Sequence, residues 1–319
     1  MKAKYIMKGI IKSIPGVEYV YNFNKSTGGT CSSRYCYSVW LRHLIYAYEN
    51  GLTSVPKIVA ELGPGDSLGT GLAALISGSE KYYALDVKRY SNIEENLKIF
   101  DELVFLFKRK TKIPEKPEFP LIRPILDNYS FPEDIFPDHY LKEILNETRL
   151  ESIRKAISTI DSLNVPKQDK MIKYVVPWDG ADVIKSSTVD MVFSQAALQC
   201  IENLESTYKS IRQWLKPNGI QSHTIEFKAC GSADEWFGHW QYSDLEWKIV
   251  KGRKSFYINR QPYSTHKDFL RKNNFKIIIE KKDLHKSNIN RKKLAVRFRD
   301  MSDDDLSTCS AFIQSKKVS

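Results

Sequence analysis

Two short stretches carry the residues best suited to chemistry, ELGPG at residues 61–65 and ALDV at residues 84–87. Gly63 and Gly65 have no side chains, so a ligand can approach their backbone closely. Asp86 follows Gly65 by about 20 residues, the separation at which an acid ending the next strand accepts hydrogen bonds from ribose hydroxyls. Together the two stretches predict a nucleoside-binding site.

The spacing of the glycines distinguishes two classes of nucleoside cofactor. Gly63, Gly65 and Gly69 follow the pattern G-x-G-x-x-x-G, which is one residue longer than the nicotinamide pattern. A carboxylate at Glu61 would repel a pyrophosphate, but it could hold a ligand's ammonium group through water or backbone. The loop therefore favours a nucleoside that carries an amino acid and disfavours a nicotinamide oxidoreductase.

The elements that must position these residues follow an α/β pattern. KIVAELGPG, LGTGLAALIS and KYYALDV read as strand, glycine loop, helix and strand, which is a βαβ unit. KYVVPWD, VDMVFSQ, the helix ENLESTYKSIRQWLKPNG and the strand IQSHTIEF repeat the alternation further along. We predict a doubly wound, Rossmann-like α/β sheet over residues 56–319, with a helical segment over residues 1–55 that packs on it.

Two insertions interrupt the alternation. Residues 96–170 are long for a connection between strands and favour a mostly helical cap or lid, and residues 228–266 are rich in aromatic side chains. The chain ends in a predicted helix and two strands, the last of them at KKLAVRFRD, residues 292–300.

The stretch ELGPGDSLG resembles the first motif of class I S-adenosylmethionine-dependent methyltransferases, and ALDV resembles the acid-ended second strand of that family. Residues 177–219, PWDGADVIKSSTVDMVFSQAALQCIENLESTYKSIRQWLKPNG, resemble its later motifs in the same order. One departure is Ser67, which stands where the family has a third loop glycine. The resemblance implies S-adenosylmethionine as cofactor and methyl transfer as the reaction.

The resemblance also implies roles for individual residues. Glu61, Gly63 and Gly65 would line the methionine part of the cofactor, with Ser67 in the same loop. Asp86 would hold the ribose hydroxyls. The remaining cofactor contacts that it implies are Val87 and Trp178 beside the adenine, Asp179 at the adenine amine, and Ser194 and Gln195 at the end of the following strand.

The methyl acceptor needs a nucleophile held against the sulfonium methyl group, and a hydroxyl acceptor also benefits from a base, for which histidine is the usual choice. His223 and His239 are the two candidate bases. His223 and Glu226 are three residues apart on one predicted strand, so only one of them can easily face the site. Arg34 and Tyr35 follow a Gly/Ser/Thr loop and either close over the cofactor or start a helix.

The aromatic insertion is the predicted substrate surface. Rings with hydroxyl or N–H tips beside arginine and histidine suit a polyol or ring substrate, and packing in a subdomain core is the alternative. The block also resembles bacterial methyltransferases associated with surface polysaccharides, which implies a sugar or glycan precursor as acceptor. The residues assigned to substrate are Arg34, Glu226, Trp240, Tyr242, Arg260, Tyr263 and His266.

Composition limits the other function classes. The 319 residues carry a net charge of +11, which either marks an anionic partner such as RNA or belongs to a solvated lysine-rich surface. Five cysteines without a CxxC pair predict reduced thiols and a cytoplasmic protein, and no run is apolar enough to span a membrane. No metal site is expected. An RNA methyltransferase and a protein that binds the cofactor without transferring a methyl group stay open as alternatives.

Overall fold

A computed structural model describes residues 2–14, 29–162, 170–254, 257–285 and 289–318. In this part of the chain seven strands form one sheet in the order β3-β2-β1-β4-β5-β7-β6. Strands β3, β2, β1, β4 and β5 are parallel, and β7 runs antiparallel to both β5 and β6. The strands are β1 (Ile58–Leu62), β2 (Lys81–Leu85), β3 (Ile172–Val175), β4 (Val189–Gln195), β5 (Leu215–Glu226), β6 (Phe275–Leu284) and β7 (Thr308–Lys317).

Helices cover both faces of the sheet, which confirms the predicted doubly wound α/β fold. Side chains alternate along each strand, so that Val59 of β1 joins one hydrophobic cluster and its neighbour Ala60 joins the other. The helices are α1 (Lys2–Ser13), α2 (Ser33–Glu49), α3 (Gly69–Ile76), α4 (Ile93–Lys108), α5 (Asp138–Ile144), α6 (Glu147–Ser158), α7 (Leu204–Trp214), α8 (Asp244–Lys251), α9 (Tyr263–Lys272) and α10 (Asp303–Ser307).

The first helical layer contains α2 to α6 and includes most of the predicted 96–170 insertion. Phe100 and Phe107 of α4 are buried there with Ile153 of α6, so these helices extend the core of the sheet. Asn92 and Asn146 cap the amino ends of α4 and α6 through their side chains. The buried packing makes this segment part of the main helical layer.

Within the described residues, the predicted 1–55 segment contains two helices with different neighbours. Helix α2 is buried beside α3 and packs on β4, β5 and β7, whereas α1 packs on α8 of the aromatic insertion. Part of the predicted Gly/Ser/Thr loop, residues 26–28, lies outside the described residues.

The carboxyl end of the chain differs from the prediction. KKLAVRFRD is not a strand, because it forms two short 3-10 turns at Arg291–Lys293 and Val296–Phe298. Leu294 and Phe298 are its buried side chains, whereas Val296, which would share their face in an alternating strand, is 74% exposed. The final strand is β7, which inserts between β5 and β6.

Candidate functional site

A cavity of about 190 Å³ lies beyond the carboxyl ends of β1 and β4. The strand order reverses between these two strands, and ligands of open α/β sheets bind at such a switch point. The cavity is lined by Gly29, Thr30, Tyr35, Glu61, Gly63, Pro64, Gly65, Thr70, Leu85, Asp86, Val87, Tyr90, Trp178, Gln195, Ala196, Ala197, Cys200 and Ile201.

The loop after β1 requires glycine for two reasons. Gly63 and Gly65 have φ values of +69° and +78°, in the left-handed region that other residues rarely adopt. A Cβ on Gly63 would also lie 2.7 Å from the Cβ of Ala197, which follows β4. Because the Gly63 amide donates to the Leu85 carbonyl at 2.8 Å, the loop is fixed to β2 as well. The glycine loop therefore forms a rigid wall of the cavity.

Asp86 is held at the edge of the cavity by backbone amides. Its Oδ1 accepts from the Val87 amide at 2.7 Å, and its Oδ2 accepts from the Gly65 amide at 3.4 Å. Burial raises the pKa of this carboxyl, and the amide donors oppose that rise. A carboxylate oxygen can accept more than one hydrogen bond, so Asp86 keeps acceptor capacity for ligand hydroxyls.

Glu61 is the second carboxyl in the cavity and is only 2% exposed. The Tyr82 hydroxyl donates to its Oε2 at 2.5 Å. Burial raises the pKa of Glu61 to about 8, and the nearby Asp86 adds to the rise while the Tyr82 hydrogen bond opposes it. The carboxyl is therefore largely neutral at neutral pH and would ionise if a cation entered the cavity.

The charge of the cavity restricts its ligand. Among the described residues, Glu61 and Asp86 are the only carboxyl side chains that line the cavity, and no lysine or arginine lines it. A diphosphate would find no cationic partner here and would face two carboxyls. The site suits a neutral or cationic nucleoside.

The structure brings together seven of the predicted cofactor residues and leaves three outside the lining. Those in the lining are Glu61, Gly63, Gly65, Asp86, Val87, Trp178 and Gln195. Ser67 is buried beneath the loop, where its Oγ accepts from the Gly69 amide at 3.0 Å. The Ser194 hydroxyl bonds to His223, and Asp179 is exposed beyond the cavity.

Neither predicted base lines the cavity. His223 is 2% exposed inside the sheet, with Nδ1 2.8 Å from Ser194 Oγ and Nε2 3.1 Å from Gln221 Oε1. The His239 ring packs on Trp240 at a centroid distance of 4.5 Å. Burial lowers the pKa of both histidines to about 3. Both rings are core side chains in this structure.

The predicted substrate residues of the aromatic insertion form a packed core rather than a binding surface. The buried Arg260 guanidinium donates to the Tyr242 carbonyl at 2.7 Å and to Asp244 at 2.5 Å, and Trp240 Nε1 donates to the Arg260 carbonyl at 3.0 Å. The aromatic rings pack against one another and against the guanidinium. The side chains of Trp240, Tyr242 and Arg260 therefore do not line the cavity.

The other predicted substrate residues also have protein partners. Tyr263 and His266 are buried on α9, and His266 Nδ1 lies 3.0 Å from the Tyr208 hydroxyl. Glu226 pairs with Lys228 at 3.4 Å, and Arg34 forms a two-point ion pair with Glu118 at 2.6 and 2.7 Å. These contacts place all four residues outside the cavity lining.

Sequence reasoning missed His43, which supports the cavity from α2. Its Nε2 lies 3.3 Å from Oε1 of Gln195, and its Nδ1 lies 2.6 Å from the Ser222 hydroxyl. Burial lowers the pKa of His43 to about 4, so the ring is neutral at physiological pH. A histidine on a buried helix face carries no sequence signal for this contact. Tyr35, expected to close over the cofactor or to start a helix, lies in the first turn of α2 and lines the cavity.

The chain was compared with protein families, curated proteins and solved structures. No family model matches it, and no curated protein does. Among solved structures it is similar to an S-adenosylmethionine-dependent methyltransferase from Methanosarcina mazei, with 11% identity and a TM-score of 0.43 over 85% of this chain and 97% of that one. A methyltransferase of the same description from Mesorhizobium loti has 13% identity and a TM-score of 0.40, over 85% of this chain and 96% of that one.

A third similar structure is phosphoethanolamine N-methyltransferase 2 from Haemonchus contortus, in complex with S-adenosyl-L-methionine. It has 14% identity and a TM-score of 0.43, and the match covers 98% of this chain but 57% of that one. Since all three TM-scores are below 0.5, a function for this chain has to come from its own residues.

Proposed function

We propose that the chain is an S-adenosylmethionine-dependent methyltransferase and that the cavity between β1 and β4 holds the cofactor. The observation that carries the proposal is the combination of a left-handed glycine loop, two buried carboxyls and a lining without lysine or arginine within the described residues. S-adenosylmethionine carries a sulfonium, an ammonium and one carboxylate group and no phosphate, so its net charge is positive and matches a lining whose charged side chains are acids. A nicotinamide cofactor, with its diphosphate, does not.

Individual residues then take the following roles. Asp86 would accept from the ribose hydroxyls, and Val87 and Trp178 would flank the adenine. Glu61 and the Gly63 backbone would face the methionine part. There the cofactor would place a positively charged group beside the Glu61 carboxyl. Asp179 is exposed and outside the lining, so its expected bond to the adenine amine does not enter the proposal.

When bound, the cofactor supplies an activated methyl group, and the protein's main task is to hold the acceptor in line with it. Positioning of this kind can lower a barrier by about 7–11 kcal/mol. Tyr35, Gln195 and Cys200 line the part of the cavity nearest β4 and α2 and would contact the acceptor. Since His223 and His239 lie outside this lining, neither is given the role of base.

A small acceptor fits this site better than RNA. Tyr35 covers the cavity from α2 and packs edge-on against Phe119 at 5.7 Å, so the roof is tied to the 96–170 segment. A nucleic-acid strand would require a basic path to the cofactor, and the described lining provides no basic side chain. We propose oxygen of a small molecule or sugar precursor as the methyl acceptor.

Calorimetric titration with S-adenosylhomocysteine tests the cofactor assignment. We expect micromolar binding by the wild-type protein, loss of binding in Asp86→Ala, retention in Asp179→Ala, and no heat with NAD. Asp179→Ala is the matched control because it removes an exposed carboxyl outside the cavity. Absence of S-adenosylhomocysteine binding by the wild-type protein would refute the proposal.

A second experiment separates catalysis from binding alone. The protein is incubated with S-adenosylmethionine and pools of hydroxylated small molecules and sugars, and formation of S-adenosylhomocysteine is measured. Product that requires both an acceptor and Asp86 supports a methyltransferase. Cofactor binding with no product from any pool would favour a non-catalytic binding protein.

A further inference from the structure

Helix α1 is fixed on the protein surface by one of its faces. Helix α1 crosses α8 at Gly9, and the two backbones are so close there that a Cβ on Gly9 would lie 2.1 Å from the Ile249 carbonyl oxygen. The Tyr5 hydroxyl donates to Asp234 at 2.7 Å, and Lys2 Nζ donates to the Gln241 carbonyl at 2.6 Å. Because backbone contact and side-chain bonds act together, the helix has a defined orientation on α8.

The opposite face of α1 is apolar and exposed. Met7, Ile10, Ile11 and Ile14 are 61%, 53%, 46% and 51% exposed. Their spacing of three, one and three residues places them on one side of a helix, and we call this set the α1 stripe. A contiguous apolar surface of this kind is typical of an interaction site, since single exposed apolar residues would be scattered.

Exposed basic side chains lie on α1 and on the helix against which it packs. Lys8 is exposed on α1 itself beside Met7, Lys248 is exposed on α8, and Arg253 is exposed two residues after the end of α8. A Cβ on Gly252 would lie 3.1 Å from Ser13 Oγ, which places this basic end of α8 beside the last turn of α1. The patch is therefore apolar at its centre and cationic at its border.

The acids near α1 do not cancel this charge. Asp234 accepts from Tyr5 and lies 4.0 Å from Lys4, and Glu246 lies 3.6 Å from Lys2. Both acids face the amino-terminal half of the helix through these partners. With a net charge of +11 for the whole chain, the surface is complementary to an anionic partner.

We propose that α1 binds the surface of anionic membranes, with the α1 stripe at the boundary between headgroups and acyl chains and Lys8, Lys248 and Arg253 at lipid phosphates. An apolar helix face bordered by lysine and arginine is the pattern of interfacial helices. Within the described ranges no helix is both long and apolar enough to cross a bilayer, so the contact is peripheral. A second copy of the chain fits less well, because two cationic borders would repel each other.

Vesicle sedimentation of the full chain tests the proposal. The probes are vesicles of phosphatidylcholine alone and vesicles of phosphatidylcholine with phosphatidylglycerol. We expect sedimentation with the second kind only, weakened more than about tenfold by Met7→Ser combined with Ile11→Ser. Leu121→Ser is the matched control, since Leu121 is 72% exposed in the 96–170 segment, and it is expected to bind as the wild type does.

Charge variants and oligomeric state complete the test. Lys8→Glu combined with Arg253→Glu is expected to abolish binding while leaving circular dichroism and thermal unfolding unchanged. Equal binding by the wild type and the stripe variant, or no binding by the wild type, would overturn the proposal. So would a wild-type dimer in sedimentation velocity that the Met7→Ser, Ile11→Ser variant dissociates, because the α1 stripe would then be a self-association surface.

Discussion

Glu61 is expected to couple binding of the proposed cofactor to the release of a proton. Its carboxyl is buried, and burial raises its pKa to about 8. About nine-tenths of the protein therefore carries a neutral Glu61 at pH 7. A sulfonium or ammonium group in the cavity would favour the ionised form, so binding at neutral pH is expected to expel close to one proton from Glu61.

The pKa also sets the size of the effect on affinity. If the cofactor binds chiefly to the ionised form, the competent fraction rises from about one-tenth at pH 7 to about one-half at pH 8 and about nine-tenths at pH 9. The affinity for S-adenosylmethionine should therefore increase about fivefold over the first interval and about twofold over the second. The affinity increases with pH because the bound cation favours the carboxylate form of Glu61, which becomes more populated as the pH rises.

Calorimetry in buffers of different ionisation enthalpy measures both the number of protons released on binding and the change of affinity with pH. Glu61→Gln keeps the shape and an oxygen that can accept from Tyr82, but it has no proton to lose, so its binding heat should not depend on the buffer. S-adenosylhomocysteine lacks the sulfonium charge and is expected to release fewer protons than S-adenosylmethionine. Buffer-independent heat in the wild type, or an unchanged pH dependence in Glu61→Gln, would refute the reasoning.

The same carboxyl affects the stability of the free protein. In the unfolded chain Glu61 loses its proton near pH 4.5, whereas the folded chain keeps it until about pH 8. The stabilisation from the neutral form is therefore complete below pH 4.5 and is lost as the pH rises towards 8. Thermal unfolding should show a smaller fall over this range in Glu61→Gln than in the wild type.

Three other predictions, two of them with a control substitution, distinguish the site from the core. Gly63→Ala should weaken S-adenosylhomocysteine binding more than about tenfold in calorimetry, whereas Gly231→Ala, with a similar φ but open space, should lose only about 1 kcal/mol of stability. Arg260→Ala should lower the free energy of urea unfolding by about 3 kcal/mol, against about 0.5 kcal/mol for the exposed Arg271→Ala. His223→Ala should lower the melting temperature and leave the Kd for S-adenosylhomocysteine unchanged; a weakened Kd would return this histidine to the site.

The sheet and the glycine loop could be predicted because their signals are local. Gly63 and Gly65 follow a buried strand directly, and Asp86 ends the next strand, so neighbours in sequence determine both the conformation and the place of the loop. The same reasoning failed for KKLAVRFRD, because the spacing of its apolar residues is compatible with either a strand or a turn. Only the packing of Leu294 and Phe298 distinguishes the two.

Residue type alone could not separate a binding surface from a core in the aromatic insertion. Trp240, Tyr242 and Arg260 are the types that contact sugars, and they are also types that satisfy one another when buried. The distinction depends on which way each side chain faces, and that is set by the turns and 3-10 helices of the insertion. These turns and 3-10 helices are each only a few residues long, which is too short for a periodic pattern of apolar residues to be recognised in the sequence.

The acceptor side of the cavity depends on contacts between distant parts of the chain. Gln314 Nε2 donates to the His43 carbonyl at 2.8 Å and to Ser222 Oγ at 2.9 Å, which uses both of its hydrogens. The Arg123 carbonyl can only accept, so the Gln195 NH2 group faces it at 3.3 Å and Gln195 Oε1 faces His43 Nε2. The neutral ring therefore carries its proton on Nε2, and the Ser222 hydroxyl donates to Nδ1. The Gln195 amide is therefore held in one orientation by two groups outside its own strand, the His43 ring and the Arg123 carbonyl. Since Gln195 also lines the cavity, contacts from α2, β5 and β7 determine the orientation of one side chain of its wall, and no local sequence pattern carries that information.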